Sequence, residues 1–288
     1  MKRFAHLFRQ IDGTTRTTVK VAALAEYFRT APEPDRLWTI ALFSGRRPRR
    51  AVTTTNLRLW ASEATGLPLW LIEESHPIVG DLAETIALTL PPATAESDRD
   101  LTHWINVLRD IAKAPDEEKK ATITAAWAQL DTTERFLFNK LITGGFRVGI
   151  SQKLTTRALA QATGHDEPDL AHRLMGNWTP DTITWHELIE AEDPTADASR
   201  PYPFYLAYAL EDPESLGPPD DWQAEWKWDG IRGQLIIRDG QPFLWSRGEE
   251  LITPAFPEFA RVPDFVPDGT VLDGELRVWD GDAPAPLS

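Results

Sequence analysis

Glu-Trp-Lys-Trp-Asp-Gly-Ile-Arg-Gly-Gln-Leu-Ile-Ile-Arg-Asp-Gly-Gln-Pro-Phe-Leu-Trp, residues 225–245, decides how this chain is read. Residues 233–238 and 242–245 are short apolar runs joined by Asp239-Gly240, the strongest short hairpin signal. A second extended stretch covers residues 269–279. Just upstream, Pro194, Pro201, Pro203, Pro213, Pro218 and Pro219 interrupt helix formation and mark a linker with short ordered pieces. Residues 202–210 in that linker are expected to pack onto the β region. Before the linker the texture is helical. Val21, Leu24, Ala25 and Phe28 recur at 3.6-type spacing after a cap at Thr17 or Thr18, and Trp38, Ala41 and Leu42 follow Asp35 in the same way. Leu82, Ile86 and Leu90 follow Gly80-Asp81, and Leu101, Ile105, Leu108 and Ile111 form a stripe that ends before Pro115. Thr132-Thr133-Glu134 opens a helix with Phe136, Leu137 and Leu141 inward, stopped by Gly144-Gly145. Helical segments at 154–163 and 170–175 follow. The pattern predicts an α+β architecture: a helical domain over 1–193, a proline-rich linker over 194–221, and the start of an antiparallel β domain over 222–288.

The first eight residues of the opening stretch carry chemistry. Lys227 lies between Trp226 and Trp228, ahead of a tight Asp229-Gly230 and the cation Arg232. An ordinary lysine is protonated near neutral pH and has no lone pair to attack with. Partial desolvation and a neighbouring positive charge both favour the free amine, which suits a nucleophile. Asp229-Gly230 supplies a turn that lets backbone approach a ligand closely. By alternation Glu225 and Lys227 face the same side of a strand, as a shared pocket requires. The plain structural alternative is a strand that ends in a solvated turn.

Composition sets bounds. A chain of 288 residues with 42% hydrophobic content can bury two cores. With no cysteine, a disulfide, a thiolate zinc site and a cysteine nucleophile are excluded, which suits a reducing cytoplasm. The six histidines show no metal-ligand spacing, and core packing is the default for most of the tryptophans. No secretory leader and no membrane span is expected. The net charge of −14 argues against a polyanionic partner, yet a binding face is local. Arg46, Arg47, Arg49 and Arg50, interrupted by Pro48, form a basic loop that folding alone explains poorly, and residues 147–157 form a second basic segment.

Three segments in order, Lys227-Trp-Asp-Gly-Ile-Arg232, Ser246-Arg247-Gly248-Glu249 and Asp273-Gly274-Glu275-Leu276, resemble the motifs of the covalent nucleotidyltransferases: ATP-dependent DNA ligases, RNA ligases and mRNA capping enzymes. Residues 139–151, Asn-Lys-Leu-Ile-Thr-Gly-Gly-Phe-Arg-Val-Gly-Ile-Ser, resemble the turn in the helical DNA-binding domain of ATP-dependent DNA ligases, a domain the other two groups lack. Residues 1–8, 20–28, 44–50 and 79–85 resemble the bacterial cisplatin damage response ligases. The resemblance covers essentially the whole chain.

It implies that Lys227 attacks the α-phosphate of ATP to form a lysyl-AMP intermediate. Glu225 would accept from the adenine amino group, and Arg232 would bind the ribose or phosphate region. Arg247 would bind phosphate and the nicked 5′ end, and Glu275 would bind the ribose or a magnesium ion. Arg147, Gly149 and Ser151, with the basic loop, would contact phosphates of nicked duplex DNA. It also implies ATP and Mg2+, a cytoplasmic, nucleoid-associated place in DNA repair, and repair nuclease or helicase partners. The family extends past this point with a further carboxylate motif, a lysine-rich motif and an OB-fold domain, so the chain reads as an N-terminal fragment with a truncated adenylation domain. Two alternatives stay open: a DNA-binding fragment without turnover, and another lysyl-nucleotidyltransferase such as an RNA ligase.

Overall fold

The computed structural model describes residues 1–144, 146, 149–174, 178–191, 200–205, 210, 212–223, 225–248, 250–281 and 283–285. Among them are the helices α1 (Lys2–Asp12), α2 (Thr17–Thr30), α3 (Glu33–Phe43), α4 (Thr54–Thr65), α5 (Leu69–Val79), α6 (Leu82–Thr89), α7 (Leu101–Asp110), α8 (Asp116–Gln129), α9 (Thr132–Thr143), α10 (Gln152–Thr163) and α11 (Glu167–Leu174). The strands are β1 (Ile231–Arg238), β2 (Gln241–Ser246), β3 (Val271–Leu276), β4 (Val278–Asp280) and β5 (Ala283–Ala285). Helices first and an antiparallel sheet after make the chain α+β. It divides into two compact units, residues 1–170 with 179–187, and residues 171–178 with 188–288.

In the helical unit, amphipathic spacing puts Phe4, Leu7, Phe8 and Ile11 of α1 on one buried face. Phe4 meets the rings of Tyr27, Phe43 and Phe146 at centroid separations of 6.2, 6.2 and 6.1 Å. Val21, Leu24, Ala25 and Phe28 of α2 are buried, as their spacing predicts. The start of that helix differs from expectation. Its N-cap is Arg16 with no side-chain cap, so Thr17 already lies in the first turn.

Asp35 differs more. It lies inside α3, 2% exposed. Its carboxylate accepts from the backbone N–H groups of Leu101 (3.2 Å) and Thr102 (2.9 Å) and from the Thr102 hydroxyl (2.6 Å). Those amides open α7 and have no intrahelical acceptor, so an acidic group from another helix satisfies them.

Helix α9 begins at Thr132, as expected, and Asp131 just before it supplies the cap. The Asp131 carboxylate accepts from Glu134 N–H (2.8 Å) and the Glu134 carboxylate accepts from Asp131 N–H (3.0 Å), a reciprocal cap. Phe136 is half-buried, while Leu137 and Leu141 are buried. The helix stops at Gly144, whose φ of 83° suits a residue without Cβ. Asp81 caps α6 through Ala83 N–H (2.9 Å), and its other oxygen ion-pairs with Lys140 of α9. This joins α6 and α9. Helix α10 packs along α2.

In the second unit the sheet order is β2-β1-β3, all antiparallel. The hairpin forms as predicted, with Asp239 and Gly240 at φ of 53° and 67°. Leu235, Ile237 and Leu244 share one face and pack with Ile252, Phe256, Phe259, Val262, Val266 and Leu276. Of the covering residues, Phe259 and Val262 come from the 3-10 turn Pro257–Asp264, Ile252, Phe256 and Val266 flank the 3-10 turns of this segment, and Leu276 comes from β3. The opposite face carries Gln234 of β1. Its side chain accepts from Tyr202 N–H (2.6 Å) and donates to Tyr202 O (3.2 Å), so the linker packs on the sheet at this point; residues 206–209 lie outside the described residues.

Two strand expectations need correction. The stretch 269–279 is broken at Arg277 into β3 and β4, and β4 pairs with β5 in a separate sheet. The strand also does not reach back to Glu225. Pairing begins at Ile231 opposite Leu276, and residues 225–229 lack a ladder partner among the described residues. Alternation therefore does not orient Glu225 and Lys227, because strand geometry needs the ladder.

Candidate functional site

The sheet register gathers the three motifs of the second unit. Arg232 pairs with Glu275, and Gly233 pairs with Gly274 on one side and Ser246 on the other. The start of β1 and the ends of β2 and β3 thus share one end of the sheet. Arg247 continues this alignment by donating its backbone N–H to Arg232 O at 3.1 Å. By alternation Arg232, Asp273 and Glu275 lie on the face opposite the apolar core.

The Lys227 loop leaves from this end of β1. Gly230 explains its path: a Cβ there would collide with the carbonyl oxygen of Leu276 and lie 3.0 Å from Glu275 Cγ. The close approach read from Asp229-Gly230 is therefore to β3 of the same chain. Lys227 is exposed, Trp226 is 84% exposed and Trp228 is 47% exposed. The expected desolvation of the amine by its neighbours is not found, since the two rings lie at 6.5 Å from each other without closing over it. Glu225 is exposed and accepts from Gln223 Nε2 at 2.7 Å.

Arg232 forms a two-pronged pair with Asp273, Nε–Oδ1 and Nη2–Oδ2 each at 3.0 Å. The hydrogen bonds to Asp273 hold the guanidinium above the ordinary arginine range. It also lies 5.8 Å from the Phe204 ring. The pair aims the guanidinium rigidly and leaves its remaining N–H groups for an anion. Arg247 and Glu275 are exposed.

Sequence reasoning missed two residues here. Asp273 stands in one of the three motifs but was not assigned as the partner of Arg232; the register sets Glu275 directly opposite Arg232, and Asp273 is its diagonal neighbour two residues along the same face of β3. Arg277 lies 4.5 Å over the Trp228 ring, with Nε and Nη1 buried and without a partner among the described residues. No local pattern marks it.

In the helical unit the arginine loop and Lys20 reach the chain between α9 and α10. A Cβ on Gly144 would overlap the Arg47 guanidinium, which places the arginine loop over the end of α9. Lys20 of α2 donates to Gly149 O at 3.5 Å. Arg47, Arg49 and Arg50 are exposed, Arg46 is half-buried and Pro48 is buried. Ser151 serves the fold, because its hydroxyl caps α10 by accepting from Leu154 N–H at 3.2 Å. Arg147 lies outside the described residues. Lys20 is a further residue the sequence did not single out, since its neighbour is 129 positions away.

Magnesium was expected through Glu275. Among the described residues there is no group of three or more His, Cys, Asp or Glu that could hold an ion. Glu275 is exposed and the Asp273 carboxylate beside it is engaged by Arg232, so these residues do not make the oxygen cage a resident cation needs. No helix among the described residues is long and apolar enough to cross a membrane.

Comparison with known proteins adds an independent line. The family model described as DNA ligase N terminus matches residues 1–160, and the one described as ATP dependent DNA ligase domain matches residues 207–288. A probable DNA ligase of Koribacter versatilis is 26% identical over 97% of this chain and 50% of its own length. One from Streptomyces avermitilis is 28% identical over 98% of this chain and 51% of its own. A DNA ligase of Thermococcus fumicolans is 23% identical, covering 98% and 55%. The chain spans about half the length of these relatives.

Proposed function

The chain belongs to the ATP-dependent DNA ligase family, and on that premise we propose that it carries the nucleophile and part of the nucleotide pocket of a nick-sealing enzyme that acts in DNA repair. The neutral amine of Lys227 attacks the α-phosphorus of ATP. A P–N bond forms, the bond to the β-phosphate oxygen breaks, and pyrophosphate leaves with the electron pair. The adenylate passes to the 5′-phosphate of a nick, and the 3′-hydroxyl then attacks that phosphate, closing the strand and releasing AMP.

In this reading Arg232, aimed by Asp273, takes the ribose or phosphate region, Glu275 takes a ribose hydroxyl, and Glu225 takes the adenine amino group. Arg247 holds phosphate at the nick. ATP enters as its magnesium complex, with no resident metal assigned to these residues. Residues 1–193 serve as the DNA-binding domain, 194–221 as linker and 222–288 as the start of the adenylation domain. The observation that carries the reading is the β2-β1-β3 register, which supports it by setting three motifs distant in sequence around one loop.

The test is incubation with labelled ATP and magnesium, followed by mapping of any adduct without acid treatment, because a phosphoramidate is acid-labile. AMP on Lys227, absent from Lys227→Ala, is the expected result. Label that persists in Lys227→Ala refutes the assignment. A parallel assay on matched DNA and RNA nicks separates a DNA ligase from an RNA ligase, and duplex binding without any adduct would leave a DNA-binding role without turnover.

A further inference from the structure

We infer that Lys20 and Arg47, seated at Gly149 and Gly144, form a two-point clamp for the phosphates of one DNA strand, with Lys20 a binding residue that neither the motifs nor the basic loop assigns. The inference rests on the DNA-binding reading above and specifies how that face is built.

Two glycines carry it. Both have positive φ, 83° at Gly144 and 61° at Gly149, but their missing side chains matter as much as their backbone angles. The Arg47 guanidinium occupies the space a Cβ on Gly144 would take. The Lys20 ammonium lies 3.1 Å from where a Cβ on Gly149 would be. Each glycine is thus a seat for a cation delivered by another part of the fold: Arg47 by the loop after α3, Lys20 by the first turn of α2.

Lys20 is in the first turn of α2, where the helix dipole disfavours a cation, and its ammonium reaches the chain just before the N-cap of α10, a second positive helix end. Cations and helix N-termini gathered in one place suit an arriving anion. The adjoining groove, about 530 Å³, has an apolar floor of Leu42, Phe43, Phe146 and Ile150 with Arg47 on its wall. A sugar–phosphate strand matches that chemistry, since deoxyribose offers apolar C–H edges and each phosphate offers a charge. The chain carries −14 overall, so a polyanion needs such a local positive site.

The experiment measures binding of the 288-residue chain to labelled nicked duplex DNA across a salt series, for wild type, Lys20→Gln, Lys20→Arg and the double variant Lys20→Gln/Arg47→Gln. Each lost phosphate contact should make the slope of log affinity against log salt shallower by about 1. Lys20→Gln should therefore lose one unit, the double variant about two, and Lys20→Arg should keep the wild-type slope. The defect of Lys20→Gln should shrink about three- to fourfold between roughly 50 and 200 mM salt. A Lys20→Gln affinity reduced equally at every salt concentration, with the slope unchanged and a lower melting temperature, would make Lys20 a support for the turn and overturn the inference. Unchanged affinity and slope would overturn it too, while leaving wild-type DNA binding intact. Wild-type protein that fails to bind duplex DNA would overturn the DNA-binding reading itself.

Discussion

In the helical unit Gly144 and Gly149 make room for the cationic ends of Arg47 and Lys20, whereas in the sheet unit Gly230 makes room for the backbone of β3. The same small residue serves two purposes. In the helices it lets charge gather on a unit whose interior is buried: Phe4 at 1% exposure, Asp35 at 2% and Glu134 of the α9 cap at 2%. In the sheet it brings a loop against a strand, yet leaves Lys227 and Trp226 exposed. A face that reads repeated phosphates works as a rigid surface. The group-transfer site proposed above needs its motifs brought into register, and the sheet supplies that register with Lys227 still exposed.

Gly230→Ala is the sharpest way to break this comparison. The added Cβ meets backbone, not a flexible side chain, so β3 must shift at a cost of about 3 kcal/mol or more. Hydrogen exchange should show faster exchange at 231–237 and 271–276 with helical amides unchanged, and adenylate labelling should fall with it. Unchanged protection in β1 and β3 would show that the loop tolerates a side chain there.

Asp35→Ala tests the helical side. It strands the Leu101 and Thr102 amides in a buried place, for about 3 kcal/mol lost in denaturant unfolding. A loss below about 1 kcal/mol would mean that water replaces the carboxylate. Asp273→Asn comes next. It removes the ionic half of the Arg232 pair, both partners about a third exposed, so stability should drop by only about 1 kcal/mol or less. ATP binding should weaken more than that if the pair aims Arg232, and calorimetry with ATP separates the two effects.

The smallest effect is a pH dependence. Desolvation holds the Glu134 carboxyl above its ordinary value of 4.5, outweighing the Asp131 N–H bond that favours its charged form. An acid with a raised folded pKa contributes stability that is complete below the unfolded value and is lost as pH rises through it toward the folded one. Unfolding of the helical unit between about pH 4 and 7 should show that loss, and Glu134→Gln, which keeps an acceptor for Asp131 N–H, should flatten it. An equal pH slope in Glu134→Gln would move the titration to another group.

Much of this was legible because it is local. The Asp239-Gly240 hairpin and the buried stripe of α2 depend on neighbours within a few residues, and periodicity reports those directly. The cap of α9 was legible as well, in the Asp-x-x-Glu spacing of Asp131 and Glu134, but the threonines between them drew the reading away. The three nucleotidyltransferase motifs were visible as strings, as was the basic loop at 46–50.

By itself, then, the sequence determined that helices precede an antiparallel sheet, the family and the residue types offered for chemistry. Tertiary structure alone decided which of those residues meet. Asp35 serves amides 66 and 67 positions away, Arg232 is held from 41 positions away and Lys20 reaches across 129. It also decided that β1 begins at Ile231, because a strand exists only where a partner completes its ladder. The physical reason is range. Backbone preference and side-chain period act over a turn or a strand, while packing and register choose contacts between segments that the chain keeps far apart.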